Sequence, residues 1–324
     1  MLKIDLRYLL YTYYTMIQFL QNTSLTASSE LLFNTRINKW IELTPTKTLL
    51  YIILFPAHSL TLLNNFLKQK DINSPMEHNK SYSNTNIHCY ISSILAIFKH
   101  TPHLISHIPN IFTLHSLWIT IRDTNQSSIV ERRNKHIPTQ LQATKGGTSL
   151  TFKDIIDKRN SSNIDIIDKL LLAMYTDIYP VRLDYFATEI IYNGSLPSTD
   201  NYIIIHPEHA ELIIRKFKTS KIHNPIHYDK LPNSLFILIL DSLRIMPRKF
   251  LFERDGKPFT SNSFCKWSSA RLQSLFGTSI TLTIIRHLFT NTLDMNTPIC
   301  ELRRIANLMG HTTGIQKLYK WLPC

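Results

Sequence analysis

The sequence predicts a mainly α protein of two domains, the second of them α+β with a small antiparallel β-sheet. Three observations carry this. Apolar residues recur at helical spacing in both halves, as in Ile87, Ile91, Ile94, Leu95 and Phe98, and again in Ile164, Ile167, Leu171 and Met174. β-Branched and aromatic residues gather in three short runs, Tyr185–Tyr192, Tyr202–His206 and Leu212–Phe217, which read as strands. All 7 glycines lie at or after Gly146, so the first half is expected to be packed helices with few tight turns. A chain of 324 residues is long enough to bury two cores.

In chain order, residues 1–45 are aromatic-rich (Tyr8, Tyr11, Tyr13, Tyr14) and carry no decisive pattern, so their role stays open. Residues 46–143 read as a helical domain. Its apolar stretch Leu49–Leu63 is broken by Pro56, which suggests a buried helix pair or a strand-like segment. Its clearest helix runs from Thr85 to His100, capped by Ser83 or Asn84 and ended by Pro102. Gln140–Thr148, with adjacent Gly146 and Gly147, reads as the linker. A second domain follows over residues 147–324. Thr151 and Asp154 have capping-box spacing, and a helix is expected over Ile164–Thr176. Pro180 then forces a corner at Arg182, the strands follow, and Lys218–Pro225 reads as a hairpin loop before a returning strand, Ile226–Leu231. Helices are expected again from Asn233 to Leu243, over Ser263–Phe276, Thr281–Leu293 and Ile299–Met309, and in a short piece over Thr313–Trp321. Asp255-Gly256 is a turn, and Gly310 suits a helix C-terminus.

Composition narrows the partner. Formal net charge is +13, which favours a polyanion and fits nucleic acid better than a membrane surface. Basic residues such as Lys99, Arg122, Arg132, Arg133, Lys135 and Lys145 lie in the first half against few acids. The 4 cysteines, Cys89, Cys265, Cys300 and Cys324, are far apart, as reduced thiols are, and show no zinc spacing. Asp5 and Arg7 interrupt the leading apolar stretch, so no secretory leader is expected, and no run is long and apolar enough for a span. An intracellular protein is the expectation.

The last forty residues carry the sharpest pattern: Thr283-Ile-Ile-Arg286-His287, then Leu308-Met-Gly-His311, then Tyr319. Upstream, Tyr175-Thr-x-x-x-Pro180-x-Arg182-x-Asp184-Tyr185 sets an arginine at a corner, and Lys218-Thr219 lies in a hairpin loop. Taken in this order, the chain resembles the tyrosine recombinases of the phage-integrase type over residues 147–324. The corner motif is similar to those of mobile-element and viral members, including Crypton-like ones. The resemblance implies a catalytic set of Arg182, Lys218, Arg286, His311 and Tyr319, with Tyr319 as the nucleophile. Lys221 is the runner-up for the lysine, with Lys216 a third choice, and Thr283, His287 and Lys221 are supporting candidates. One position departs from the pattern, since Thr283 stands where the family carries His or Lys.

The implied activity is a site-specific recombinase or integrase that breaks and rejoins duplex DNA through a 3′-phosphotyrosyl intermediate. A fixed guanidinium suits the phosphate because its fork matches two oxygens, and a tyrosine hydroxyl can hold phosphorus covalently. The resemblance implies no cofactor, metal or small-molecule substrate, no membrane, and a homotetramer on two DNA sites, with the helical domain of residues 46–143 clamping the duplex. The alternatives are a catalytically impaired architectural DNA-binding relative and a telomere resolvase or topoisomerase-like strand transferase.

Overall fold

The computed structural model describes residues 19–20, 23–72, 84–135, 150–192, 196–294 and 296–319; the side chains of 68–72, 84–85, 133 and 317–319 lie outside the description. The expected linker, the tyrosines near position 11 and Lys145 also fall outside it. The chain divides into two compact units, Met1–Arg133 and Asn134–Cys324.

The first unit is helical: α1 (Ala27–Leu43), α2 (Leu49–Leu54), α3 (Pro56–Ile72), a 3-10 turn (Pro102–Leu104) after α4 (Asn84–His100), and α5 (Ile111–Asn134). Leu49–Leu63 is thus a helix pair, divided where Phe55 leaves helical angles ahead of Pro56. The unit takes in residues 27–43, which the sequence pattern leaves unassigned. Trp40 of α1 is wholly buried, donates its indole N–H to the Ser59 carbonyl at 3.0 Å, and meets Trp118 and Tyr90 edge-on. Ile37, Ile52, Ile53, Ile91, Ile94 and Ile97 close this core.

In the second unit, α6 (Phe152–Asn160) opens on the expected capping box: Thr151 accepts from the Asp154 amide, and Asp154 accepts from that of Thr151. It is followed by α7 (Ile166–Ala173), capped by Asp165. The sheet holds β1 (Glu189–Tyr192), β2 (Asn201–Ile205), β3 (Ala210–Ile214) and β4 (Ile226–Tyr228), in that order.

The sheet is mixed rather than purely antiparallel. β1 and β2 run parallel, while β2–β3 and β3–β4 are antiparallel. The reason is local: Ser198, in the connection, donates its amide and hydroxyl to the two Glu189 carboxylate oxygens at 2.6 and 2.8 Å. That clamp returns the chain to the start of β1 before β2 begins. The outer edge of β1 is itself occupied, because Ile190 N–H donates to the Lys249 carbonyl and Leu251 N–H to that of Thr188, both at 2.8 Å.

The pleat puts Ile190, Ile203, Leu212, Ile214 and Ile226 on the face toward the core. Against it lie α8 (Asn233–Ile245), α9 (Ser261–Phe276), α10 (Leu282–Thr292) and α11 (Ile299–Leu308), with α12 (Thr313–Tyr319) last. A small hairpin, β5 (Glu253–Arg254) and β6 (Lys257–Pro258), turns at Asp255-Gly256 with both residues at positive φ. Asn233 is the first residue of α8 rather than its cap; Pro232 takes the cap position with no side-chain bond. Among the described residues, no helix is long and apolar enough to cross a membrane.

Candidate active site

Arg286 is the organising residue. α10 is inside the unit over most of its length, with Ile284, Ile285, Arg286, His287, Leu288 and Thr290 all buried. Arg286 has 0% exposure. Its Nη1 donates to the Met309 carbonyl at 3.3 Å, at the C-terminal end of α11 where the helix dipole is negative. A wholly buried cation is costly unless its surroundings answer it.

The end of α11 also fixes His311. Gly310 has φ +69°, the Gly310 amide donates to the Asn307 carbonyl at 2.9 Å, and the His311 amide to that of Ala306 at 3.0 Å. This is a Schellman motif, with the glycine in the left-handed position and the histidine just beyond it. His311 is buried, and its pKa falls to about 3, first through burial and then through the charges of Arg286, Arg182 and His223. The imidazole is therefore neutral at pH 7, with one N–H to donate and one nitrogen to accept.

Arg182 sits at the expected corner. Val181 is wholly buried, the Tyr175 hydroxyl donates to the Arg182 carbonyl, and the Arg182 amide donates to Asp184 Oδ2 at 3.2 Å. Asp177 could have paired with this arginine, but it is held by Arg159, which also donates to Thr176 Oγ1 at 2.8 Å. Among the described residues no hydrogen bond or ion pair engages the Arg182 guanidinium, which is half-buried. Burial raises the Asp184 carboxyl above its usual range, against the pull of Arg286 and Arg182. Burial likewise raises the hydroxyls of Tyr175 and Tyr185 well above the ordinary tyrosine value.

Two contacts bring the lysine loop to this group. Thr219 Oγ1 donates to the Gly310 carbonyl at 2.7 Å, and the Phe217 ring packs where a Gly310 Cβ would stand, 3.2 Å away. Lys218 lies between these two residues and is exposed; Lys221 is exposed on the same turn. Lys216 lies 3.8 Å from Asp200. Buried Asn201 joins the two approaches: its amide group donates to the carbonyls of Asp184 and Lys216 at 3.0 and 2.9 Å, and its oxygen accepts from the amides of Arg215 and Lys216. One side chain thus ties the Arg182 corner to the strand that runs into Lys218.

The structure therefore gathers Arg182, Arg286 and His311 within electrostatic range, with the Lys218 loop latched beside them. His287 is buried on the same helix. Thr283 is exposed in the first turn of α10, and no hydrogen bond of the described residues joins it to the group. α12 packs against α10 and α11, with Gln316 buried, so the backbone of residue 319 ends a helix seated beside Arg286's own; the Tyr319 side chain lies outside the description. Asn201, Asp184 and Thr219 were not singled out as site members from the sequence. Asp184 and Thr219 had a signal there, as members of the corner motif and of the Lys-Thr pair; Asn201 had none.

No protein-family model matches the chain, and no curated protein sequence matches it. Among solved structures it is similar to one titled "Crystal structure of XerA recombinase", with 12% sequence identity, 92% of this chain and 88% of the other covered, and a TM-score of 0.39. That likeness is too loose to bear on any residue of the site.

Chemically, two guanidiniums and a neutral imidazole can surround an oxyanion with donors in a region largely closed to water. An exposed lysine at the rim can supply a proton.

Proposed function

We propose that this chain is a DNA strand transferase of the site-specific recombinase or integrase kind, and that residues 147–324 are its catalytic domain. The observation that carries the reading is the wholly buried Arg286, held at the end of α11 within charge range of His311 and Arg182. Two guanidiniums gathered at one histidine, one of them half-buried and with no hydrogen bond or ion pair on its guanidinium among the described residues, suit the binding of a phosphate.

In the proposed reaction the Tyr319 hydroxyl attacks the scissile phosphorus and gives up its proton to solvent water. The bond from phosphorus to the 5′-oxygen breaks, and Lys218 protonates that oxygen. The 3′-phosphotyrosyl link keeps the phosphoester bond, so a 5′-hydroxyl from a partner duplex reverses the step. Arg182, Arg286 and His311 hold the non-bridging oxygens. The net charge of +13 favours duplex DNA as the partner. The first unit clamps the duplex, and a homotetramer acts on two sites. A viral or mobile-element setting follows from the form of the corner motif alone.

One observation favours a second reading, a catalytically impaired architectural DNA-binding protein: Thr283 offers an exposed hydroxyl where an ionisable donor is expected.

The test is a suicide-substrate assay. Wild type and Tyr319→Phe are incubated with EDTA and nicked duplexes from the flanking DNA of the gene. A covalent protein–DNA band in wild type alone is the expected result. A band in both would move the nucleophile elsewhere. DNA binding by both, with no band on any flanking duplex, would favour the architectural reading.

A further inference from the structure

At the opposite end of β3 from the lysine loop, the chain reads His206-Pro-Glu-His209-Ala-Glu211. The β2–β3 hairpin closes there on two loop residues, Pro207 and Glu208, with the His206 amide donating to the His209 carbonyl at 2.9 Å. His206 and His209 therefore face each other on the last rung. The register pairs Ile205 with Ala210 and Ile204 with Glu211, so both histidines and Glu211 lie on the face of the sheet away from the main core. One ligand atom from each of the three lies within 4.8 Å of the others.

We propose that His206, His209 and Glu211 form a binding site for a zinc-like divalent transition metal. The ligand set is two imidazoles and a carboxylate, the chemistry that borderline cations select. His206 Nε2 and Glu211 Oε1 stand 3.1 Å apart. Two ligands on a tetrahedral zinc at ordinary bond lengths are about 3.4 Å apart, so the cation enters by replacing that one hydrogen bond. The His209 ring stacks on that of His206 at 4.4 Å and makes no hydrogen bond among the described residues. It turns about its side-chain torsions to bring a nitrogen to the metal, and water completes the coordination.

The surroundings supply an outer layer. His227 on β4 lies on the same face, with Nε2 3.6 Å from Glu211 Oε2 and 3.2 Å from Asp229 Oδ1. A histidine beside the far oxygen of a ligating carboxylate, and itself close to a second carboxylate, is placed to support the metal ligands from the outer layer. The bound cation would staple the tip of the β2–β3 hairpin. The site is independent of the strand-transfer reading and requires no role for Tyr319.

The test uses the full chain purified in EDTA and then dialysed free of it. Zinc chloride is titrated by calorimetry, and cobalt chloride is followed by visible absorption. The expected result is one tight equivalent, with cobalt bands of nitrogen and oxygen ligation and none of thiolate. Binding should weaken by more than about tenfold in His209→Ala and in the near-isosteric Glu211→Gln, and less in His227→Ala. Circular dichroism of the metal-free variants should match wild type, which separates lost binding from lost fold. Absence of stoichiometric binding, binding unchanged in both ligand variants, or a thiolate-to-cobalt band would each overturn the assignment.

Discussion

Replacing His311 with glutamine should flatten the acid limb of the second unit's stability. In the folded chain the imidazole stays neutral down to about pH 3, because burial, Arg286, Arg182 and His223 all oppose its charged form. In the unfolded chain it gains a proton near pH 6.5. Between those values the unfolded state binds more protons than the native one, so stability falls as the pH falls. The contribution is intact above 6.5 and is lost progressively toward 3, at about 1.4 kcal/mol per pH unit. Over the whole interval this is on the order of 4 to 5 kcal/mol, a large part of the stability of an ordinary domain. Asp184 has the opposite sign, since its raised carboxyl pKa favours folding as the pH falls through its own range.

The assay is urea unfolding at steps from pH 7.5 to 4.5, read by amide exchange within α7 and α10 so that the second unit alone is scored. The two proteins should run parallel above about pH 6.5, and below it wild type should lose stability more steeply than His311→Gln, by on the order of 1 kcal/mol per unit. Equal slopes would refute the burial and charge argument, and with it the closeness of His311 to the two arginines.

Gly310→Ala should cost more than about 1 kcal/mol, because φ is +69° and the new methyl would stand 3.2 Å from the Phe217 ring; thermal denaturation checks it. If Phe217 yields, the Lys218 loop moves, and covalent-band formation should fall further than stability does. Asn201→Ala leaves two carbonyls and two amides without their partner and should destabilise the second unit by about 2 to 4 kcal/mol in urea melts. Asp177→Asn strips the partner from Arg159, whose side chain is 18% exposed, and should cost on the order of 2 to 3 kcal/mol; replacing both residues with leucine should recover most of that loss in the same melts.

The elements that local chemistry determines were legible. Ile87, Ile91, Ile94 and Phe98 mark one face of α4, Thr151 and Asp154 cap α6, and Gly310 ends α11. Each depends on neighbours within a turn or two. The parallel run of β1 and β2 was not legible, because strand direction depends on Ser198 reaching back to Glu189. The Arg159–Asp177 pair joins residues on separate elements, and the Asn201 bonds reach two other segments, at Asp184 and at Arg215–Lys216. Such contacts have no period to read. α1 was missed because an aromatic-rich leader obscured where its pattern starts. The gathering of Arg182, Arg286 and His311 was anticipated only through the order of the motifs, and their burial not at all. The His206, His209 and Glu211 spacing stood in the sequence, but His206 closed one expected strand while His209 and Glu211 fell in the connection before the next, so nothing joined the three.

The covering of β1 governs how this protein behaves when concentrated. An open strand edge is a template for another chain, and Glu189-Ile-Ile-Tyr192 is short but apolar. Residues 249–251 are hydrogen-bonded along the start of that edge, at Thr188 and Ile190, and the outer strand at the other side of the sheet, β4, is only 3 residues long. Loosening that strip would expose β1 as a template for strand-by-strand aggregation, while β4 alone is too short to start one.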